Sequence, residues 1–279
     1  SGDVNFKEGS KKLVIDGGIK KHDDDGCRGY YGNFSWSWND NKTKSGKVGG
    51  YKDLDELPDI TVSGPETLTL IVENAIPFGT AGNLGGADID FGHCGRLEVG
   101  DISGPASINI SGSGNLEAGD VSELLANITG SGDLDFENVG DVDITVRGSG
   151  NVDFENADNV NLKISGSGDI NMEDISGALF VKSSGSGDIS ANLVGQELTF
   201  EGRGSTDASI DEVNGRALIK LSGSGDVDIN DGSVETLIIA ARGSSDVDFG
   251  GTAVNADLTA SGSSDIYVSR VTGERSTRT

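Results

Sequence analysis

Aspartate is the residue in this chain whose spacing most invites chemistry. Asp133, Asp169, Asp188, Asp226, Asp246 and Asp265 each close a Ser-Gly-Ser-Gly-Asp string or a near copy of it. Asn115, Asn151 and Asp207 hold the same place in the other copies, and the steps between the nine markers are 18, 18, 18, 19, 19, 19, 20 and 19 residues. Glycan cleavage needs one carboxyl as acid and another as base or nucleophile, in different surroundings. Such a pair would break a repeat rather than follow it. Cation binding needs converging oxygens: the row Asp133, Asp169, Asp188, Asp226, Asp246 and Asp265 could form a weak cation ladder, and the pairs Asp133/Asp135, Asp226/Asp228 and Asp246/Asp248 could catch Ca2+ loosely. The calcium-binding nonapeptide differs, since it sets Asp two places after Gly at half this period. A residue that returns at every turn is first a turn residue. No catalytic residue is therefore assigned, and the chain reads as non-enzymatic. No Ser-His-Asp, phosphate-loop or haem-attachment pattern is present, and no helix follows the Gly-x-Gly strings.

The other reactive side chains gather near the start. Cys27 and Cys94 are the only cysteines, and His22 and His93 the only histidines. In an oxidising compartment the two cysteines are expected to form one disulfide. A Cys2His2 metal site and free thiols are the alternatives, but the spacings are not those of a zinc finger, and no metal is assigned. Tyr30, Tyr31, Trp36 and Trp38 form an aromatic cluster that either packs as a cap or offers a platform to a sugar. Sequons at Asn33, Asn41, Asn109 and Asn127 are candidate glycosylation sites.

What must position these groups is a repeating strand pattern. After each marker the first and third residues are apolar, as in Leu134 and Phe136, Val152 and Phe154, or Ile170 and Met172. A lone apolar residue follows (Val139, Ile175, Val194, Val213), then a second alternating run such as Val142-Asp143-Ile144-Thr145-Val146. Alternation at period two means strands with one buried face, and a flexible Gly/Ser linker would not keep such a phase. The period predicts two short strands and two turns per coil of a single-stranded parallel β-helix, with coils about 4.8 Å apart. The six-residue rhythm of left-handed hexapeptide helices is missing, so a right-handed coil is expected. Phe136, Phe154 and Met172 should stack in one inner ladder, and Ile144, Leu162 and Val181 in another. The glycines should allow a sharp turn with positive φ at the same corner of every coil. Arg147, Arg203 and Arg242, four residues before a marker, are expected to pair with acids on neighbouring coils.

The coils divide the chain into a solenoid-like strand segment at 1–15, an irregular aromatic and Cys-containing insert or cap at 16–58, and the β-helix at 59–279, regular from about 103. With 46 acidic against 21 basic residues the net charge is −25, which argues against nucleic acid or an anionic membrane as partner. No apolar run is long enough to span a bilayer, and no signal peptide opens the sequence, so it reads as a mature product or an excised fragment. The coils, preceded by Ile60-Thr61-Val62-Ser63-Gly64-Pro65 and Leu68-Thr69-Leu70, resemble the auto-transporter adhesin, head-GIN domain family over roughly 54–279. That resemblance implies a secreted or cell-surface β-helical domain with an adhesive or structural role. Ser1-Gly2-Asp3-Val4-Asn5-Phe6 repeats the marker and its strand, and the residues after Asp265 stop where another marker is due. Unpaired ends of this kind lead to the expectation of end-to-end self-association into a fibre, or of tandem neighbour domains. A surface glycan or the matrix is the other partner class, and a carbohydrate-binding or glycan-cleaving β-helix is the alternative function.

Overall fold

The computed structural model describes residues 66–73 and 77–279 throughout and, before them, the backbone of three strands, β1 (Asp3–Phe6), β2 (Lys12–Asp16) and β3 (Phe34–Ser35). All regular structure among the described residues is β-strand. β1 and β2 pair antiparallel; the strands that follow pair in parallel and form a β-solenoid. The chain divides into two compact units, Ser1–Asn138 and Val139–Thr279.

The first unit continues with β4 (Thr69–Glu73), β5 (Phe78–Ala81), β6 (Gly86–Phe91) and β7 (Cys94–Val99). After these come β8 (Ile102–Ile110), β9 (Ser113–Ala118), β10 (Val121–Ile128) and the start of β11 (Leu134–Val146). From β2 to β9 each strand pairs with the next but one, which is what a coil of two strand segments requires. Val72, Ile89, Ile108 and Ala126 fall on one rung line, and Leu97, Leu116 and Leu134 on another. All seven are buried. The register runs back towards the N-terminus: β2 pairs with β4, and β3, inside the stretch read as an insert, pairs with β5.

The second unit holds β12 (Val152–Ile164), β13 (Ile170–Ile175), β14 (Ala178–Ser183), β15 (Ile189–Val194) and β16 (Glu197–Gly202). It ends with β17 (Ala208–Leu221), β18 (Val227–Gly243), β19 (Val247–Gly262), β20 (Ile266–Val271) and β21 (Arg275–Arg278). β12 pairs with both β13 and β14, so the two segments of a coil fuse into one long strand in some coils and separate in others. The expected contacts Phe154–Met172 and Leu162–Val181 are both in register. The Phe154–Met172 line has Ile210, Ile229 and Phe249 as later members, and the Leu162–Val181 line runs on through Phe200, Ile219, Ile239 and Leu258. Burying each such side chain stabilises the fold by about 1.5–3 kcal/mol.

Two expectations need correction. The two turns per coil are three corners. In β12 the inward alternation breaks at Glu155-Asn156 and again at Asp158-Asn159, leaving Ala157 alone as a buried one-residue side between them. The Ser-Gly-Ser-Gly string makes the third corner. The lone apolar residue of the sequence pattern is thus a face of its own rather than part of a turn.

The glycines of that third corner are also not there chiefly for positive φ, which among its described copies occurs only at Gly243 (101°) and Gly262 (89°). They are there because the coils touch. A Cβ on Gly166 would land on the carbonyl oxygen of Gly148, one on Gly185 on that of Gly166, and one on Gly204 on that of Gly185. Those oxygens are occupied: Ser167 donates its N–H to Gly148 at 2.9 Å and Ser205 donates to Gly185 at 3.0 Å. Gly185→Ala is therefore expected to lower the unfolding free energy by about 2–3 kcal/mol. At Gly82, where an added Cβ meets nothing within 4 Å, alanine should change it by less than about 1 kcal/mol. Urea denaturation of the two variants compares them.

Candidate functional site

The marker residue is a junction between coils. Its main-chain carbonyl accepts the N–H of the first strand residue of the preceding coil: Ile170 to Asp188 at 2.9 Å, Ala208 to Asp226 at 2.9 Å, Val227 to Asp246 at 3.0 Å, Val247 to Asp265 at 3.0 Å. Its own N–H is donated to the side chain of the preceding marker. Asp133 donates to Asn115 Oδ1 at 3.0 Å in the first unit. In the second unit Asp169 donates to Asn151 (2.9 Å), Asp188 to Asp169 (2.9 Å) and Asp226 to Asp207 (2.9 Å). Asp246 donates to Asp226 (2.7 Å) and Asp265 to Asp246 (2.8 Å). One oxygen of each accepting side chain is thus committed to a backbone amide. Hydrogen bonds to an ionised acceptor are stronger than neutral ones, so the ladder behaves as a clamp. Among the described residues, no group of three or more His, Cys, Asp or Glu side chains is arranged to hold a metal ion.

A second carboxylate row lies two residues beyond the markers. There Ser209, Asp228, Asp248 and Tyr267 are in register. Asp228 is raised above its ordinary value of 3.8, first by burial and then by the charges of Asp248, Asp226 and Asp207. The same row in earlier coils is relieved by chemistry. Asn171 donates to Asp153 at 2.6 Å and Ser190 donates to Asn171 at 2.8 Å, so each side chain there has a neighbour of opposite hydrogen-bonding sense. Another polar ladder follows a different corner, with Asn159 donating to Asp141 at 2.9 Å and accepting from the N–H of Ala178 at 3.1 Å.

The remaining candidates are placed as follows. Asn109 and Asn127 sit in register on β8 and β10, and Asn127 Nδ2 donates to Asn109 Oδ1 at 3.4 Å. Cys94 opens β7, half-buried, and there is no free cysteine among the described residues. Its expected partner Cys27 lies outside the described residues, as do Tyr30, Tyr31, Trp36, Trp38, Asn33 and Asn41. The expectation for Arg147, Arg203 and Arg242 fails. All three are exposed, and the ion pairs among the described residues join Arg96 to Glu98 and Glu117, Lys163 to Asp143, Lys220 to Glu201 and Arg278 to Asp257. The same place on neighbouring coils holds Ser165, Ser184, Ser222 and Ser261 rather than an acid, and the markers Asp207 and Asp246 each turn an oxygen to the next coil's amide.

Stacked Gly-Ser corners clamped by a marker carboxylate are the feature that the second unit repeats most faithfully. Residues 196–277 match a protein-family model described as "Putative auto-transporter adhesin, head GIN domain". The match starts at the residue before β16 and runs into β21. It falls on the coils that carry the Asp207–Asp226–Asp246–Asp265 clamp and the Asp228 row. Neither the curated proteins nor the solved structures contain a match.

Within the head GIN match the two acidic rows behave differently on substitution. Asp226→Ala leaves the N–H of Asp246 without its acceptor and should cost about 1–2 kcal/mol in urea denaturation. Asp226→Asn keeps an oxygen there, as Asn115 and Asn151 do, and should cost much less. Asp228 acts in the opposite sense. Because its folded value is raised, the folded state binds the proton more tightly than the unfolded one, and stability is gained as pH falls through that value, fully so below 3.8. Above it the ionised carboxylate is a cost. Asp228→Asn should therefore raise the melting temperature at pH 7, with a gain that shrinks in high salt and vanishes below about pH 3.8. Thermal scans across pH read the difference.

Proposed function

We propose that this chain is a non-enzymatic module of the cell surface or extracellular space, acting as a structural or adhesive solenoid. A β-solenoid fold and a head GIN match both fit such a role. The observation that carries the reading is the use made of the carboxylates. The recurring Asp side chains bond to the backbone of the next coil instead of converging as an acid–base pair.

The last described coil supports a finer reading, association through the end of the second unit. β20 and β21 each pair with β19 alone among the described residues. Ile266, Val268 and Val271 continue rung lines whose members on β19 (Val247, Phe249 and Ala253) are buried, yet they are themselves half-exposed. A further coil from a second copy, or from a tandem neighbour, would cover them and take up the open edge. Beads coated with the whole chain should adhere to a cell or matrix surface that beads coated with denatured chain do not hold. Equal adhesion of the two would sink the adhesive reading. Sedimentation should show concentration-dependent association that Val268→Lys abolishes. A monomer at every concentration would remove the end-on contact and leave the adhesive role standing.

A further inference from the structure

The second unit is acidic overall, but its cations are not scattered. Residues 139–279 contain ten Lys and Arg and 23 Asp and Glu. Six of the ten cations lie on two adjacent outward rows beside the glycine corner. One row, six residues before the markers, holds Lys163, Lys182 and Lys220, with Lys163–Lys182–Glu201–Lys220 in direct register. The other, four residues before the markers, holds Arg147, Arg203 and Arg242, with serine in the intervening coils. Its alignment follows from the corner hydrogen bonds Ser165 to Val146, Ser184 to Ile164, Arg203 to Ser183 and Ser222 to Gly202. From Thr145 to Ser261 the two rows contain one acid, Glu201.

This arrangement works against the fold's own electrostatics. Lys163 and Lys182 stand directly opposite each other on neighbouring strands, a like-charge pair that destabilises a sheet. Lys182, Arg147, Arg203 and Arg242 make no ion pair among the described residues, although carboxylates outnumber them throughout the unit. All six cations are exposed. Next to the lysine row, two residues further from the markers, run Phe180, Thr199, Leu218 and Ile238, with Phe180 at 41% and Ile238 at 38% exposure. On the far side of the arginines runs a row of serines, Ser167, Ser186, Ser205 and Ser224.

We propose that these rows form a binding strip for an extended acidic polysaccharide, one bearing carboxylate or sulfate groups at regular intervals. The proposal rests on the adhesive reading and names the chemistry of its ligand. Three properties of the strip fit such a chain. Arg203 and Arg242, and likewise Lys182 and Lys220, are two coils apart, about 10 Å, so that the strip is in step with a linear polymer that turns an anion towards it at every second sugar. The serine rows supply hydroxyls for sugar hydroxyls, and Phe180 with Ile238 supplies an apolar surface for the faces of the rings. The acidic remainder of the unit repels a polyanion everywhere else, and so guides it onto the strip.

The test uses the whole chain on columns of polygalacturonate, heparin, neutral dextran and single-stranded DNA at low salt. Its variant is Lys182→Thr/Arg203→Ser/Arg242→Ser, whose new side chains are those already found on the same rows at Thr259 and Ser222, so that folding is preserved; circular dichroism checks this. The wild type is expected to bind polygalacturonate or heparin, to elute with salt and to pass through dextran. The variant should bind about tenfold more weakly, and Arg203→Lys/Arg242→Lys should stay within about threefold of the wild type. Passage of the wild type through both acidic glycans overturns the proposal, as does a folded variant that binds them like the wild type, or tighter retention on DNA than on either glycan. Undiminished adhesion of variant-coated beads to the surface that holds the wild type overturns the strip while the adhesive reading survives. Loss of adhesion by wild-type beads strikes that reading instead.

Discussion

Close approach of successive coils at the glycine corner is the constraint on which the rest of the second unit depends. A single methylene at Gly166, Gly185 or Gly204 would occupy the space of a carbonyl oxygen one coil away. With no side chain there, the serine amide of one coil reaches the glycine carbonyl of the one before, and the marker amide reaches the preceding marker carboxylate. The same approach sets the register. Once Ile189 bonds to Asp207 and Ala208 to Asp226, each later residue of the coil has its partner assigned, and the apolar side chains fall into continuous rung lines.

Stacking of equivalent positions has an electrostatic consequence. Any charged residue used in every coil becomes a column of like charges separated by about 4.8 Å. The chain answers this differently in different rows. In the Asp153–Asn171–Ser190 row it alternates acceptors with donors. In the marker row it gives each carboxylate an amide proton. Where the Asp153–Asn171–Ser190 row reaches Asp228 and Asp248 it does neither, and Asp228 binds its proton more tightly, through burial first and then the charges of Asp248, Asp226 and Asp207. The cations are withdrawn from all of these acids and gathered on the far side of the corner serines. Surface charge here is organised by rows rather than by pairs, and a linear ligand is the natural complement to a row.

How far the sequence carried these conclusions depended on whether a feature repeats in phase. The parallel solenoid, the Phe154–Met172 and Leu162–Val181 contacts and the structural nature of the marker Asp were legible, because alternation and period both point to them. The third corner was not. Ala157 and its counterparts are single apolar residues between polar pairs, and one residue carries no period of its own. The purpose of the glycines was misread for a related reason: sequence shows that Gly is required, but positive φ and close packing require it equally. Arg147, Arg203 and Arg242 were expected to meet acids on neighbouring coils, but the places beside them there hold Ser165, Ser184, Ser222 and Ser261. Numbering Lys from the marker, as the arginines were numbered, would have revealed the second cationic row, since Lys163, Lys182 and Lys220 all fall six residues before one. The early aromatic and cysteine cluster lies outside the described residues, so its chemistry remains that of the sequence alone.

A solenoid holds its length only if its coils are rigid, and the rigidity of this one resides in the corners that look most like flexible linker. Native-state hydrogen exchange, resolved by peptide, measures that claim directly. In the Ser-Gly-Ser-Gly-Asp segments at 184–188 and 222–226 the Ser and Asp amides bond to the preceding coil, and these segments are expected to exchange as slowly as the strands on either side of them. Exchange of those segments at the rate of an open Gly/Ser loop, with the neighbouring strands still protected, would contradict it.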